Sequence, residues 1–274
     1  MQYQNLEFNR LVVKVGSALI APEGRGSSVR FLLSLADFIH HCLQEGKEVV
    51  IVSSGSVAAG SGLINHNVAQ KLSIPQKQAL ASIGQTHLMQ HWQKLFDNHC
   101  AQILLTRSDL ESKQRRKNAE NTINTLFAMQ AIPIINENDS VVVDELVVGD
   151  NDNLAAQVAE MCQADLLIIC SDVNGLYDKN PKLNQDAELI PLVESIDESH
   201  FAIAGATDNP IATGGMQTKL QAARFASDSG INTLIVNGRN VETFERLKRK
   251  KVTGTLFTRQ EQCKDEVDQE LSNG

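Results

Sequence analysis

Two lysines sit where lysine is out of place. Lys14 interrupts the apolar run "RLVVKVG" (10–16), just before Gly16-Ser17, and Lys219 enters the first turns of a helix-like stretch behind "NPIATGG" (209–215). A charge in a strand buried on both faces is costly unless its ammonium meets an anion. Lys14 therefore reads either as a snorkelling lysine at a strand end or as a cation for a phosphate beside a glycine turn. Glycines at a helix N-terminus offer outward N–H groups and the positive end of the dipole to an anion. Gly214 and Gly215 would also let the backbone approach a phosphate closely. The chain nevertheless contains neither G-x-x-x-x-G-K-[ST] nor G-x-G-x-x-G after a strand, so neither common nucleotide loop explains the pattern.

Other strand ends are equally polar. "VSSGSVAAG" (52–60) places Ser53, Ser54 and Gly55 before small residues that open a helix, and "CSDVNGLYDKNP" (170–181) follows another apolar run. "INENDS" (135–140) and "VGDNDNLAA" (148–156) cluster Asn and Asp beyond what turns and helix caps require. His87 and His91 are four apart on one helix, but no glutamate follows His87 and no third ligand is evident, so a zinc site is not expected. There is no G-x-S-x-G elbow.

The elements that must position these residues alternate. Strand-like runs at 10–16, 48–55, 101–106, 132–136, 165–170 and 231–238 are separated by helical patterns at 28–46, 76–96, 118–130, 153–162 and 216–229. Val29, Leu32, Ala36, Ile39 and Leu43 mark the apolar side of the first helix, and Leu80, Ile83, Leu88, Trp92 and Leu95 that of the second. Strands apolar on both faces, joined by helices, predict a mainly parallel sheet covered on both sides. Ligands bind such sheets where strands end and loops begin.

Composition narrows the function classes. The chain has 274 residues, 42% hydrophobic and 21% charged, and no apolar run approaches the roughly 18 residues of a membrane span. The start lacks the order of a signal peptide, and five scattered cysteines without C-x-x-C spacing predict reduced thiols and a cytoplasmic location. A net charge of −8 argues against nucleic-acid binding and requires local positive charge for any polyanionic substrate. The basic runs "KQRRK" (113–117) and "RLKRKK" (246–251) read as solvated faces.

Nine segments, in order, resemble those of the amino acid kinase family: "VVKVGSALI" (12–20), "IVSSGSVAAG" (51–60), "KQALASIGQ" (77–85), "LLTRSD" (104–109), "PIINENDSV" (133–141), "VGDNDNLAA" (148–156), "SDVNGLY" (171–177), "TGGMQTKLQAA" (213–223) and "GTLF" (254–257). The resemblance implies a three-layer αβα sandwich on a mainly parallel sheet, with a kinase domain over 1–259; the expected short acidic tail over 260–274, in place of the second domain of the PUA type that many members carry, is a departure from the family. The "INEND" and "VGDNDN" pair resembles the members that phosphorylate glutamate. The implied reaction is ATP plus L-glutamate giving L-glutamyl 5-phosphate and ADP, the entry to proline biosynthesis, with Mg²⁺ carried by ATP and not by dedicated ligands. Acetylglutamate, aspartate or nucleoside monophosphate kinases of the same fold, and a non-catalytic sensor of amino acid and nucleotide, are the competing readings.

Carried onto this chain, the resemblance has Lys14 and Lys219 flank the phosphoryl group in flight, with Asp152 orienting both. Ser54, Asp139 and Asn151 would hold glutamate, with Asn136 as helper. Lys14, Ser171, Asp172 and the segment Thr213, Gly214, Gly215, Met216, Gln217, Thr218 and Lys219 would contact ATP. It further implies a homo-oligomer (dimer or tetramer), proline as feedback inhibitor through the region of Lys113 to Asn121, and hand-off of the labile product to glutamyl phosphate reductase. Glu120 and Ser56 depart from the family's more familiar arginine and alanine, and neither is expected to touch the transfer residues.

Overall fold

A computed structural model describes residues 6–24, 26–64, 72–141, 151–205 and 215–260. The first run forms β1 (Arg10–Val15), followed by α1 (Ser17–Ile20), α2 (Leu33–Gln44) and β2 (Glu48–Ser53). Then come α3 (Ser56–Leu63), α4 (Ile74–Leu95), β3 (Cys100–Leu105), α5 (Arg107–Glu111), α6 (Lys113–Ala128) and β4 (Ile132–Glu137). The second half holds α7 (Asn151–Met161), β5 (Leu166–Ser171), β6 (Leu192–Val193), α8 (Glu198–Gly205), α9 (Met216–Asp228), β7 (Asn232–Asn237), α10 (Val241–Lys248) and β8 (Thr255–Phe257).

The strands form one sheet in the order β3-β4-β2-β1-β5-β7-β8-β6. All pairs from β3 to β7 are parallel, and the direction reverses at β8, which runs antiparallel to β7. The chain winds outward from β1 in both directions, through β2 on one side and β5 on the other. The carboxyl ends of β1, β2, β4 and β5 therefore face a common crevice.

The period-2 alternation of β1 decides the rest. Leu11, Val13 and Val15 face a core shared with Leu35, Phe38 and Ile39 of α2, Trp92 of α4 and Phe244 of α10. Val12 faces the opposite core, where Ala155, Ala156 and Val158 of α7 meet Leu220, Ala222 and Ala223 of α9. Helices thus cover both faces, the αβα sandwich that the sequence predicts. Lys14 shares the parity of Val12, so its side chain is directed to the α7 face.

Several boundaries differ from the sequence-based ones. α2 begins at Leu33, five residues later than the pattern predicts, and Ile83 of α4 is 41% exposed although it falls on the expected apolar side. α6 begins at Lys113 and takes in the basic run 113–117. Ile123 is its one buried residue, so that start carries no apolar stripe to be read. The helices α3 and α4 cross with their backbones nearly touching. A Cβ on Gly84 would stand 1.9 Å from the Ser56 carbonyl oxygen, and one on Gly60 2.0 Å from that of Leu80. Only glycine permits that approach.

Candidate active site

Lys14 is 4% and Lys219 5% exposed, and Asp152, in the first turn of α7, is fully buried between them. Lys14 Nζ lies 2.5 Å from Asp152 Oδ1, and Lys219 Nζ lies 3.1 Å from Oδ2. Residues 205 positions apart in sequence thus share one carboxylate. Burial would raise the Asp152 pKa, but the two ammonium groups and their hydrogen bonds outweigh it and hold the carboxyl at about 2.

The two lysines are placed by different means. Lys14 is fixed by a strand paired on both sides, with β2 and with β5. Lys219 sits on α9, whose N-cap Gly215 is extended at φ −69° and ψ −173°. The Gly215 carbonyl accepts from Thr218 Oγ1 at 2.9 Å and from Lys219 Nζ at 3.5 Å, and Thr218 Oγ1 also lies 2.9 Å from Asp152 Oδ2. The helix start is thereby tied to the same carboxylate.

Above this trio opens a cleft of about 610 Å³. Its lining includes Lys14, Ser54, Asn136, Asp139, Asn151, Ser171, Asp172 and Lys219. Of the segment from Thr213 to Lys219, Gly215 caps α9, Met216, Gln217 and Thr218 form its first turn, and Gln217 is exposed. Thr213 and Gly214 lie outside the described residues.

The amide of Asn151 is already engaged. Its Nδ2 donates to Ser53 O at 2.7 Å, to Ser54 Oγ at 2.9 Å and to Asn136 Oδ1 at 2.9 Å. Asn136 Nδ2 donates to Gln85 Oε1 at 2.8 Å, and Trp92 Nε1 donates to Ser53 Oγ at 3.1 Å. These bonds lock the ends of β2 and β4 to α7 and α4. In this geometry the Asn151 nitrogen faces the protein, so a carboxylate would reach it only by displacing one of those acceptors.

Asp139 stands apart from the network. Ser56 Oγ donates to its Oδ2 at 2.6 Å, and the neighbouring Ser140 hydroxyl lies 2.7 Å from that of Ser82 on α4. Burial raises the Asp139 pKa above the usual carboxylate value, and the Ser56 hydrogen bond offsets part of that rise. Ser56 therefore acts on a proposed substrate residue although it does not touch the lysines.

Sequence reasoning missed two cations. Arg239, just past β7, lines the cleft near Gly16 and Ser17, donates from Nη2 to Ala18 O at 3.0 Å and lies 5.5 Å from the Phe31 ring centre. Its Nε is buried without a hydrogen-bond partner among the described residues. Lys77, in the first turns of α4, lines the cleft as well. Lys77 falls in a segment that resembles the family, but nothing in its spacing marks it as a site residue.

A mainly parallel three-layer sandwich with two lysines gathered on one carboxylate at the strand ends belongs to the phosphate-handling α/β proteins as a class. Residues 9–237 match the amino acid kinase family. The chain belongs to that family. It is 49% identical over 253 residues to a glutamate 5-kinase of Idiomarina loihiensis, covering 92% of this chain and 68% of the relative. A glutamate 5-kinase of Salinibacter ruber is 50% identical over 257 residues, covering 93% and 68%. Among solved structures, carbamate kinase from Giardia lamblia bound to AMP-PNP superposes with a TM-score of 0.63 at 18% identity, covering 92% of this chain and 99% of that one. UMP kinase from Bacillus anthracis gives 0.61 at 15% identity, covering 92% and 96%. At those identities the structural likeness speaks for the fold alone.

Proposed function

We infer that this chain transfers the γ-phosphoryl group of ATP to the γ-carboxylate of L-glutamate, forming L-glutamyl 5-phosphate and ADP at the entry to proline biosynthesis. The observation that carries the reading is the Lys14–Asp152–Lys219 trio at a cleft that Ser54, Asp139, Ser171 and Arg239 also line. The near-50% identity to glutamate 5-kinases supports the choice of acceptor.

The chemistry asks little beyond positioning and charge neutralisation. The acceptor carboxylate, with a pKa of about 4.3, is ionised at neutral pH and needs no general base. One ammonium on each side of the transferring group offsets the charge as bonding shifts from the leaving oxygen to the attacking one. Asp152 keeps the two ammonium groups converged without cancelling them. Asp139 receives the α-ammonium of the amino acid, and the Ser54 turn helps to hold the same molecule. Ser171 and the start of α9 hold the nucleotide, and Arg239 adds a full positive charge at that end. Mg²⁺ would arrive on the nucleotide's own phosphates, as the resemblance implies. When bound, that ion would supply further charge neutralisation at the phosphates.

The resemblance extends the proposal to a cytoplasmic homo-oligomer, inhibited by proline and passing its labile product to a reductase. No helix among the described residues is long and apolar enough to cross a membrane. The deciding experiment incubates the chain with ATP, Mg²⁺ and hydroxylamine plus glutamate, acetylglutamate or aspartate. Hydroxamate formed with glutamate, well above the others, supports the reading. Equal or greater yield with another acid, or ATP binding without turnover, refutes it.

A further inference from the structure

The described cations lining the cleft are Lys14, Lys77, Lys219 and Arg239. Lys14 and Lys219 share Asp152, and Arg239 is tied to the Ala18 carbonyl beside Gly16 and Ser17. Lys77 lines the cleft from α4. Its helix is started firmly: Pro75 lies in the first turn, Gln76 Oε1 accepts from Ser73 N at 2.9 Å, and Lys77 N donates to Ser73 O at 3.0 Å.

The same helix braces the surroundings of Asp139. Ser82, five residues after Lys77 and so roughly 7.5 Å along the axis, bonds Ser140, the neighbour of Asp139. Gly84 lies against the Ser56 carbonyl, and the Ser56 hydroxyl bonds Asp139 itself. Lys77 and Asp139 thus line the same cleft, one on α4 and the other next to a residue that α4 bonds. A zwitterionic amino-acid head presents the matching pair.

We propose that Lys77 binds the α-carboxylate of the acceptor amino acid while Asp139 binds its α-ammonium. This rests on glutamate being the acceptor. The two carboxylates of glutamate are chemically similar, so something must decide which one reaches the lysine pair. Holding the α-end against α4 leaves the γ-carboxylate as the one directed to Lys14 and Lys219. Lys77 is then a specificity residue: it selects an amino acid with two acidic ends and fixes which end reacts.

The test is the hydroxamate assay on Lys77→Met and Lys77→Arg, with melting temperatures measured alongside. Glutarate, which lacks the α-ammonium, and 4-aminobutyrate, which lacks the α-carboxylate, serve as competitors of glutamate. Lys77→Met is expected to raise the KM for glutamate about 10- to 100-fold, with kcat within about threefold. It should weaken glutarate by a similar factor, leave the inhibition constant of 4-aminobutyrate unchanged, and be largely rescued by Lys77→Arg. An unchanged glutamate KM in a variant with native melting behaviour overturns the proposal, as does an equal loss for both competitors. If the unmodified chain forms no hydroxamate from glutamate, the parent reading fails instead, which the native control reveals before any variant is made.

Discussion

Replacing Asp152 with asparagine removes one charge and almost no volume. Two ammonium groups, each within 3.1 Å of that side chain and so within about 8 Å of each other, then lose their shared counter-ion. At an effective dielectric of 20 their mutual repulsion is about 2 kcal/mol. Stranding buried charges by deleting a partner costs about 3–5 kcal/mol in all. For a chain of this size that is a fall of roughly 5–9 °C in Tm. ATP·Mg²⁺ should restore more of the lost stability in the variant than it adds to the native chain, because its phosphates supply the missing negative charge. With the ammonium groups no longer converged, kcat should fall on the order of 10²-fold. Thermal melts with and without nucleotide, together with hydroxamate rates, measure all three effects. A variant as stable as the native chain and within threefold in kcat would mean that Asp152 neither anchors nor orients the lysines.

Lys219→Ala should lower kcat on the order of 10²–10⁴-fold through lost transition-state charge stabilisation, and retention of most activity would remove Lys219 from the mechanism. Asp139→Ala should act through the glutamate KM, and an unchanged KM would exclude its contact with the ammonium. Because burial raises the Asp139 pKa, protonation should erode glutamate affinity as pH falls through a value above the ordinary carboxylate's. Ser56→Ala removes the hydrogen bond that favours the anion, so this acid limb of kcat/KM should move to higher pH, and a limb that stays put or moves down would contradict the assignment. Arg239→Met should raise the KM for ATP about tenfold or more, the scale of a lost charge-assisted contact, with the glutamate KM steady. A lowered Tm without any change in the ATP KM would make Arg239 only a brace for α1.

How much of this was legible depended on whether geometry follows from topology or from side-chain packing. In a parallel sheet every strand delivers its carboxyl end to one edge, so Lys14, Ser54, Asn136 and Ser171 could be grouped from apolar runs alone. Lys219 was joined to them by the family resemblance, not by the alternation of elements. The acceptor wall was not legible in that way. Its arrangement depends on the Gly60–Gly84 crossing, which places Ser56 against Asp139 and brings Lys77 to the cleft. Hydrophobic periodicity encodes which face of a helix is buried, not the angle at which two helices meet. The reversal at β8 was hidden too, since three residues carry no directional signal.

The placement of Lys14 on a strand hydrogen-bonded along both sides has a consequence for how the protein can move. β1 is held in register with β2 over six residue pairs and with β5 over five, so shifting that lysine would require breaking the middle of the sheet. Breathing motions draw on the least stable parts of a fold. Any closing around the reactants must therefore come from what surrounds the crevice, while the backbone beneath Lys14 stays as fixed as an anvil.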